Sequence, residues 1–462
     1  MSGQKPATQQ VQPARRIAYD VIAAVRQSDA YANLLLPVRL DRAKLSAADA
    51  ALATELTYGT LRMRGYYDRV IALAAGRDVA TIDPPILDVL RLGTHQLLST
   101  RVATHAAVNE SVVLARSVGS RSATGFTNGV LRTIARSTPQ EWLERVREAT
   151  RSTDERLAAE YSHPEWIVRA FRQALAAESR ADELADLLTA DNVAPRVNMA
   201  ALPGLGTRPA DAETDTYSPY GYVHGGGDPN HSMRASHGTL RVQDEGSQLA
   251  ALALLSARPV APGEEWLDLC AGPGGKAALL GAAARQAGAT LIANELVPAR
   301  AELVRSAVRP LADTVDIWQR DGTTIGNDEP ERFDRVLLDA PCTGLGALRR
   351  RPEARWRKAP RDVPELTALQ GALLDSAFRA LKPGGVLAYV TCSPHPAETR
   401  LAVTDAIKRH SGALVALPTR ALLNEITVTP LESVGDPDHV QLWPHRHGTD
   451  AMFIALLTKQ LR

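Results

Sequence analysis

The sequence predicts a multidomain chain in which an all-helical amino-terminal part precedes an α/β domain with a mainly parallel sheet. Three observations carry this. Its 462 residues exceed one ordinary domain. Apolar residues recur at helical spacing through the first third of the chain. From Glu265 onward short apolar runs alternate with helical stretches, the pattern of strands joined by crossover helices.

Residues 1–14 read as a flexible tail. The helical part spans 15–146, with periodic stretches such as Arg16 to Val25 and Ile86 to Gly93. Asp83 before Pro84 marks a helix start. The next segment, 147–258, holds a Gly- and Pro-rich stretch, Gly204 to His237, that reads as a loop. Residues 259–462 form the α/β part. Its expected strands are Trp266–Cys270, Thr290–Asn294, Val315–Trp318, Val336–Leu338, Val386–Val390 and Met452–Leu457, with helices over Arg300–Ala312 and Leu366–Leu381.

Composition narrows the function less than the motifs do. With 45% hydrophobic and 23% charged residues the chain can build real cores. A net charge of +1 gives no evidence for or against a nucleic-acid partner, so local clusters must decide. The three cysteines, Cys270, Cys342 and Cys392, are too few and too scattered for a disulfide scaffold or a zinc knuckle. Cys392 and His395 have no further clustered ligand, so no metal is expected. There is no apolar run of membrane-spanning length and no signal-peptide core near Met1, which makes the cytoplasm the expected compartment.

The segment Asp268-Leu269-Cys270-Ala271-Gly272-Pro273-Gly274-Gly275-Lys276 follows a strand and opens a helix. Glycines there let backbone approach a ligand, and helix N-terminal amides face it. A Walker loop is ruled out, because Cys270 and Ala277 stand where Gly and Ser or Thr are needed. A dinucleotide loop stays open: Gly272, Gly274 and Ala277 satisfy its permissive form, and Glu295 follows the next strand, where an acid can hold a ribose. The pair says nucleoside-type cofactor and no more.

Discrimination comes from Asp339-Ala340-Pro341-Cys342-Thr343-Gly344-Leu345-Gly346 and Thr391-Cys392-Ser393-Pro394. Each follows a strand, so two thiols and a carboxylate share the ligand edge of the sheet. A thiolate that adds to carbon 6 of a pyrimidine makes carbon 5 nucleophilic, and a second group must then help remove the carbon 5 proton. Position alone does not rank the two cysteines.

These motifs, LDLCAGPGGK, DAPCTGLG and YVTCS in that order, resemble the RNA 5-cytosine methyltransferases of the Sun/Fmu group over roughly the last two hundred residues. The resemblance implies a Rossmann-like class I methyltransferase fold with a seven-stranded, mainly parallel sheet and S-adenosylmethionine as cofactor. It implies Cys392 as nucleophile, Cys342 in proton removal or product release, and Asp339 holding the cytosine edge. Cys270, Ala271, Gly272, Pro273, Gly274, Gly275, Lys276, Glu295, Asp321 and Asp339 would line the cofactor. After Ser393 this chain has Pro394-His395-Pro396-Ala397-Glu398 where many relatives are more acidic, so Glu398 is given no role here.

The amino-terminal stretches Ala14–Ala18, Glu55–Arg62 and Gly125–Arg132 resemble the NusB-like RNA-binding bundle of the branch acting on 16S ribosomal RNA. That implies this RNA as partner, met before the subunit is fully assembled, and a monomeric enzyme. The segment around Ser162 to Trp166 looks like a small α+β RNA-binding subdomain. The run Arg349 to Lys358 carries six basic residues, one acid and a Trp. Alone such a run is a solvated face. Beside the second motif, Arg349, Arg350, Arg351, Arg355 and Trp356 are expected to hold phosphates and bases. The other readings are an enzyme acting on a different RNA such as tRNA, a nicotinamide dehydrogenase, and an RNA-binding factor without catalysis; the last two leave the paired cysteines unexplained.

Overall fold

The computed structural model describes residues 10–28, 30–432 and 436–461; residues 1–9 of the expected tail lie outside the described residues. The chain forms two compact units, one of residues 1–169 with 348–357, the other of 170–347 with 358–462. The compact units divide at residue 169, so the expected middle segment 147–258 is spread over both.

The first unit is a helical bundle. Helices Pro13–Gln27, Ala47–Arg62, Pro84–Ser99 and Arg121–Ile134 turn Ile17, Val21, Leu56, Leu90 and Leu131 into one core. Asp83 takes the cap position before Pro84, although its side chain makes no capping bond. Trp142 is buried, and its indole N–H donates to the Ile134 carbonyl at 2.9 Å. That bond lets a large aromatic enter the core without stranding its donor.

The short segment 348–357 belongs to this bundle, and that changes the reading of the basic run. Arg355 is 0% exposed, and its guanidinium donates to the carbonyls of Arg62 and Ser162 at 3.0 and 3.1 Å. Glu353, also buried, accepts from the Ala32 amide at 3.1 Å. Arg349 is buried, and its carbonyl accepts from Arg62 at 3.3 Å. Trp356 packs on Gly65, where an added Cβ would come within 2.5 Å of the indole, and Arg64 lies over the same ring. The expectation that Arg349, Arg355 and Trp356 meet RNA is therefore corrected. Arg349 and Arg355 are buried, the Arg355 guanidinium is turned to protein, and the half-buried Trp356 ring is covered by Gly65 and Arg64. Arg350 is half-buried, and Arg351 is exposed over the Tyr31 ring.

The second unit holds two sheets. A small antiparallel one has the order β2-β1-β3, from β1 (Asn198–Ala201), β2 (Gly221–Val223) and β3 (Leu240–Val242). The stretch 204–237 is therefore not all loop: it contains β2 and a short helix, Pro229–Ala235. Gly221 permits that strand, since a Cβ there would sit 2.2 Å from the Asp215 carboxylate.

The large sheet is built from β4 (Glu265–Asp268), β5 (Thr290–Asn294), β6 (Val315–Trp318), β7 (Phe333–Asp339), β8 (Leu381–Thr391), β9 (Leu414–Ala416), β10 (His439–Gln441) and β11 (Phe453–Lys459). Its order is β10-β11-β8-β7-β4-β5-β6, with β9 pairing β11 as an eighth strand beyond the expected seven. Strands β8, β7, β4, β5 and β6 are mutually parallel, and β11 returns antiparallel against β8. Helices cover both faces, burying Leu279, Leu280 and Leu252 on one side and Leu373, Leu374 and Ala377 on the other. From β4 the chain runs outward through β5 and β6 on one side, then crosses back from β6 to β7 on the other side of β4. Such a switch point opens a crevice at the carboxyl ends of the strands. Asp268, Asn294, Trp318, Asp339 and Thr391 all end strands at that edge. Among the described residues, no helix is long and apolar enough to cross a membrane.

Candidate active site

The glycine loop leaves β4 at the switch point. Gly274 has a φ of +104°, a conformation open to glycine, and caps the helix Gly275–Ala287. A Cβ on Gly272 would lie 2.1 Å from a Glu295 oxygen, so only glycine lets the loop pass so close to that carboxylate. Glu295 ends the β5 edge nearly buried. One oxygen accepts from the Val297 amide at 2.9 Å, and the other faces Arg300 at 3.3 Å. Arg300 also donates to the Gly272 carbonyl at 2.7 Å. Asp321 sits beyond β6 as the cap of helix Gly322–Asp328, accepting from the amide and hydroxyl of Thr323.

Lys276, in the first turn after the loop, donates to Asp339 at 2.7 Å. Its ammonium is held above its ordinary pKa. Burial works against the charge, and the neighbouring Asp339 carboxylate outweighs it, with help from Cys392 and Asp268. Asp268 is buried with neither oxygen hydrogen-bonded to a side chain, and burial first, then the Asp339 charge, pushes its carboxyl up to about 8. The Lys276 charge and the Cys270 backbone pull the other way, and burial outweighs them, so a buried acid here is costly unless a ligand answers it. Together with the close-passing glycine backbone and the Glu295 carboxylate, it makes a cradle whose donors and acceptors suit a cationic, ribose-bearing ligand. Cys270, the thiol inside the loop, is also pushed up by burial.

The decisive distance is between the two other thiols. Cys342, after β7, and Cys392, after β8, bring their sulfurs to 3.5 Å. Adjacent parallel strands put the two loops side by side: Asp339 pairs with Val390 in register, and the Ala340 amide donates to the Val390 carbonyl. Farther on, the Gly346 amide donates to the Cys392 carbonyl at 2.8 Å, an approach that a Cβ on Gly346 would block. The Cys342 thiol is raised well above its ordinary value, first by its hydrogen bond to Cys392 and then by burial. It stays protonated beside the other sulfur.

Residues 256–458 match the family model described as 16S rRNA methyltransferase RsmB/F, and residues 12–136 match the NusB family. The chain is 47% identical over 98% of both chains to "Putative methyltransferase Rv1407" of Mycobacterium tuberculosis. It is 30% identical to the Ribosomal RNA small subunit methyltransferase B of Erwinia tasmaniensis, over 89% of this chain and 91% of that one. The chain belongs to the RsmB/F methyltransferase family. This RsmB/F protein is an S-adenosylmethionine-dependent RNA methyltransferase with a helical NusB region and a Rossmann-like catalytic sheet. A solved structure titled "Crystal Structure of PH0851" shares the fold, with a TM-score of 0.78 and 22% identity over 98% of this chain and all of that one.

Sequence reasoning brought the glycine loop, Lys276, Glu295, Asp339, Cys342 and Cys392 to one edge, and the structure gathers them there. It missed two carboxylates of this RsmB/F site. Asp268 was read only as part of the expected strand Trp266–Cys270 and the head of the glycine-loop segment, while the structure ends β4 at it. Glu398 was set aside, though an acid soon after Thr391-Cys392-Ser393 was itself a signal.

Proposed function

We propose that this enzyme methylates carbon 5 of a cytosine in 16S ribosomal RNA through a covalent link between Cys392 and the base. The 3.5 Å separation of two thiols at the ligand edge carries the reading. Cys392 adds to carbon 6 as a thiolate, and its electron pair moves into the ring so that carbon 5 becomes the nucleophile. The Lys276 ammonium, whose own charge is favoured by Cys392, stabilises the thiolate in return. Asp339 holds the ring-nitrogen and amino edge of the base, with Lys276 fixing its carboxylate. S-adenosylmethionine supplies the methyl group when bound. Residues Cys270 to Lys276, with Glu295 and Asp321, would hold it. Loss of the carbon 5 proton and departure of Cys392 from carbon 6 then restore the ring. Cys342 acts in that elimination: its thiol gives its proton to the leaving Cys392 sulfur and takes the carbon 5 proton in exchange, so the ring double bond returns and both sulfurs end protonated.

The substrate assignment rests on the family model and on relatives whose name states ribosomal RNA of the small subunit. A thiol in a crevice reaches only a base swung out of its stack, which favours RNA met in the cytoplasm before the subunit is complete. The NusB-matching helices and the β2-β1-β3 sheet would bind that RNA, and one copy of the chain holds all the proposed catalytic groups. The test is a denaturing gel of protein, RNA and S-adenosylmethionine, beside mapping of 5-methylcytosine. Cys342→Ala is expected to leave protein trapped on RNA and Cys392→Ala to give neither adduct nor product. An adduct with Cys392→Ala alone would reverse the two roles.

A further inference from the structure

Glu398 is buried in the turn Pro396–Glu398, and both its carboxylate oxygens bond residues of the two thiol loops. One carboxylate oxygen accepts from the Thr343 amide at 2.8 Å. The other accepts from the Thr343 hydroxyl at 2.5 Å and the Ser393 hydroxyl at 2.7 Å. Thr343 directly follows Cys342, and Ser393 directly follows Cys392. Gln370 adds a third tie, donating to the Glu398 carboxylate at 3.3 Å and to the carbonyl of Pro341, the residue before Cys342, at 2.8 Å. The Glu398 carbonyl is itself fixed by the Tyr389 hydroxyl, from the strand that leads to Cys392, at 2.8 Å.

We infer that Glu398 is the positioning residue that sets the separation of Cys342 and Cys392. Strand pairing ends at Asp339 and Val390, and beyond it the backbone ties the loops only at Ala340–Val390 and Gly346–Cys392, so side chains must fix the thiols between those points. An ionised carboxylate is acceptor-only, with room for about four donors, and here it meets a backbone N–H, two hydroxyls and an amide. No neutral side chain of that length offers the same set. Glutamine comes nearest, because its oxygen can face the Thr343 amide while the two hydroxyls rotate to accept from its NH2. Alanine leaves buried donors on both loops unanswered, and past Ala340 only the Gly346–Cys392 backbone bond and the Thr343–Ser393 hydroxyl contact then tie the loops directly. The chemical consequence rests on the two-thiol reading above; the spacing does not.

The experiment therefore reads spacing and chemistry separately. Diamide, which takes two electrons and two protons from a pair of close thiols, is added to the purified full chain, and the Cys342–Cys392 disulfide is timed by peptide mapping. Glu398→Ala is expected to slow that bond at least about tenfold and to lower kcat about a hundredfold, with KM for RNA and affinity for S-adenosylmethionine within about twofold. Glu398→Gln should recover at least tenfold of the kcat loss. Should the alanine variant not fold, the pair Thr343→Val and Ser393→Ala removes the two hydroxyls and keeps the carboxylate. Both should slow the disulfide relative to the unchanged protein. Disulfide formation at the original rate in Glu398→Ala, or in the double hydroxyl variant, overturns the assignment even if kcat falls. If the disulfide slows as expected but the unchanged enzyme leaves carbon 5 of cytosine unmethylated, the spacing role stands and the proposed chemistry fails.

Discussion

The loop bearing Cys342 and the basic run from Arg349 to Lys358 are neighbours in sequence, and both carry residue types that bind or transform nucleic acid. Their surroundings differ. Arg355 donates to two backbone carbonyls inside a helical bundle and has no surface left to offer. At the sheet edge Asp268 has no hydrogen-bonded side chain, and two sulfurs face each other with a lysine and a carboxylate nearby. Charge and side-chain type do not separate the cases. What separates them is position: Arg355 is enclosed by backbone carbonyls of its own unit, whereas the two thiols, Lys276 and Asp339 line the crevice at the strand ends.

Five measurements can break or sharpen that contrast. Cys392→Ala should lower methyl transfer by about 10⁴-fold or more while leaving the melting temperature near that of the parent; a loss of folding instead would make the thiol structural. Arg355→Ala should do the reverse, costing about 3 kcal/mol in urea unfolding because two buried carbonyls lose their donor. A variant as stable as the parent would remove the claim that the bundle depends on this arginine. Glu295→Ala, between the extremes, should weaken S-adenosylmethionine binding by about 1.5–3 kcal/mol in calorimetry. Unchanged affinity would mean that Arg300 and the Val297 amide already complete it.

The fourth concerns Asp268. Its carboxyl moves from 3.8 in the open chain to about 8 when folded, so folding takes up a proton between those values. The cofactor-free protein should lose stability as pH rises through that window, by up to about 1.4 kcal/mol per pH unit from this group. Asp268→Asn should flatten the profile; an identical slope in the variant would show that other groups set it. The smallest effect is expected from Arg351→Ala. It should change stability by less than about 0.5 kcal/mol, and flatten the salt dependence of RNA binding by at most about 0.9 if that side chain meets a phosphate.

Much of the catalytic sheet was legible because apolar strands announce themselves and glycine loops follow them. β5 and β6 have the bounds expected from sequence. β9 and β10 were missed because three residues at a sheet margin carry too little periodicity to stand out. The strand and helix inside 204–237 were hidden by glycines that serve close packing as well as turns. The thiol pair could be placed at one edge from strand order alone, but its spacing could not, because it depends on Glu398 bonding to residues on two separate loops. The basic run misled for the same reason. Carbonyls at Arg62 and Ser162 decide its fate, and nothing local to Arg355 reports them.

Segment 348–357 also bears on how the chain comes to be folded during its synthesis. The bundle's helices leave the ribosome first, yet the donor for the Ser162 carbonyl is made 193 residues later and that for Arg62 293 residues later. At about 5–20 residues per second, the first of these gaps lasts roughly 10–40 s. Through that interval the nascent bundle holds its helices but lacks the segment that finishes it. Its last contacts therefore close over a long stretch of already translated chain, and birth order and folding order part company at Arg355.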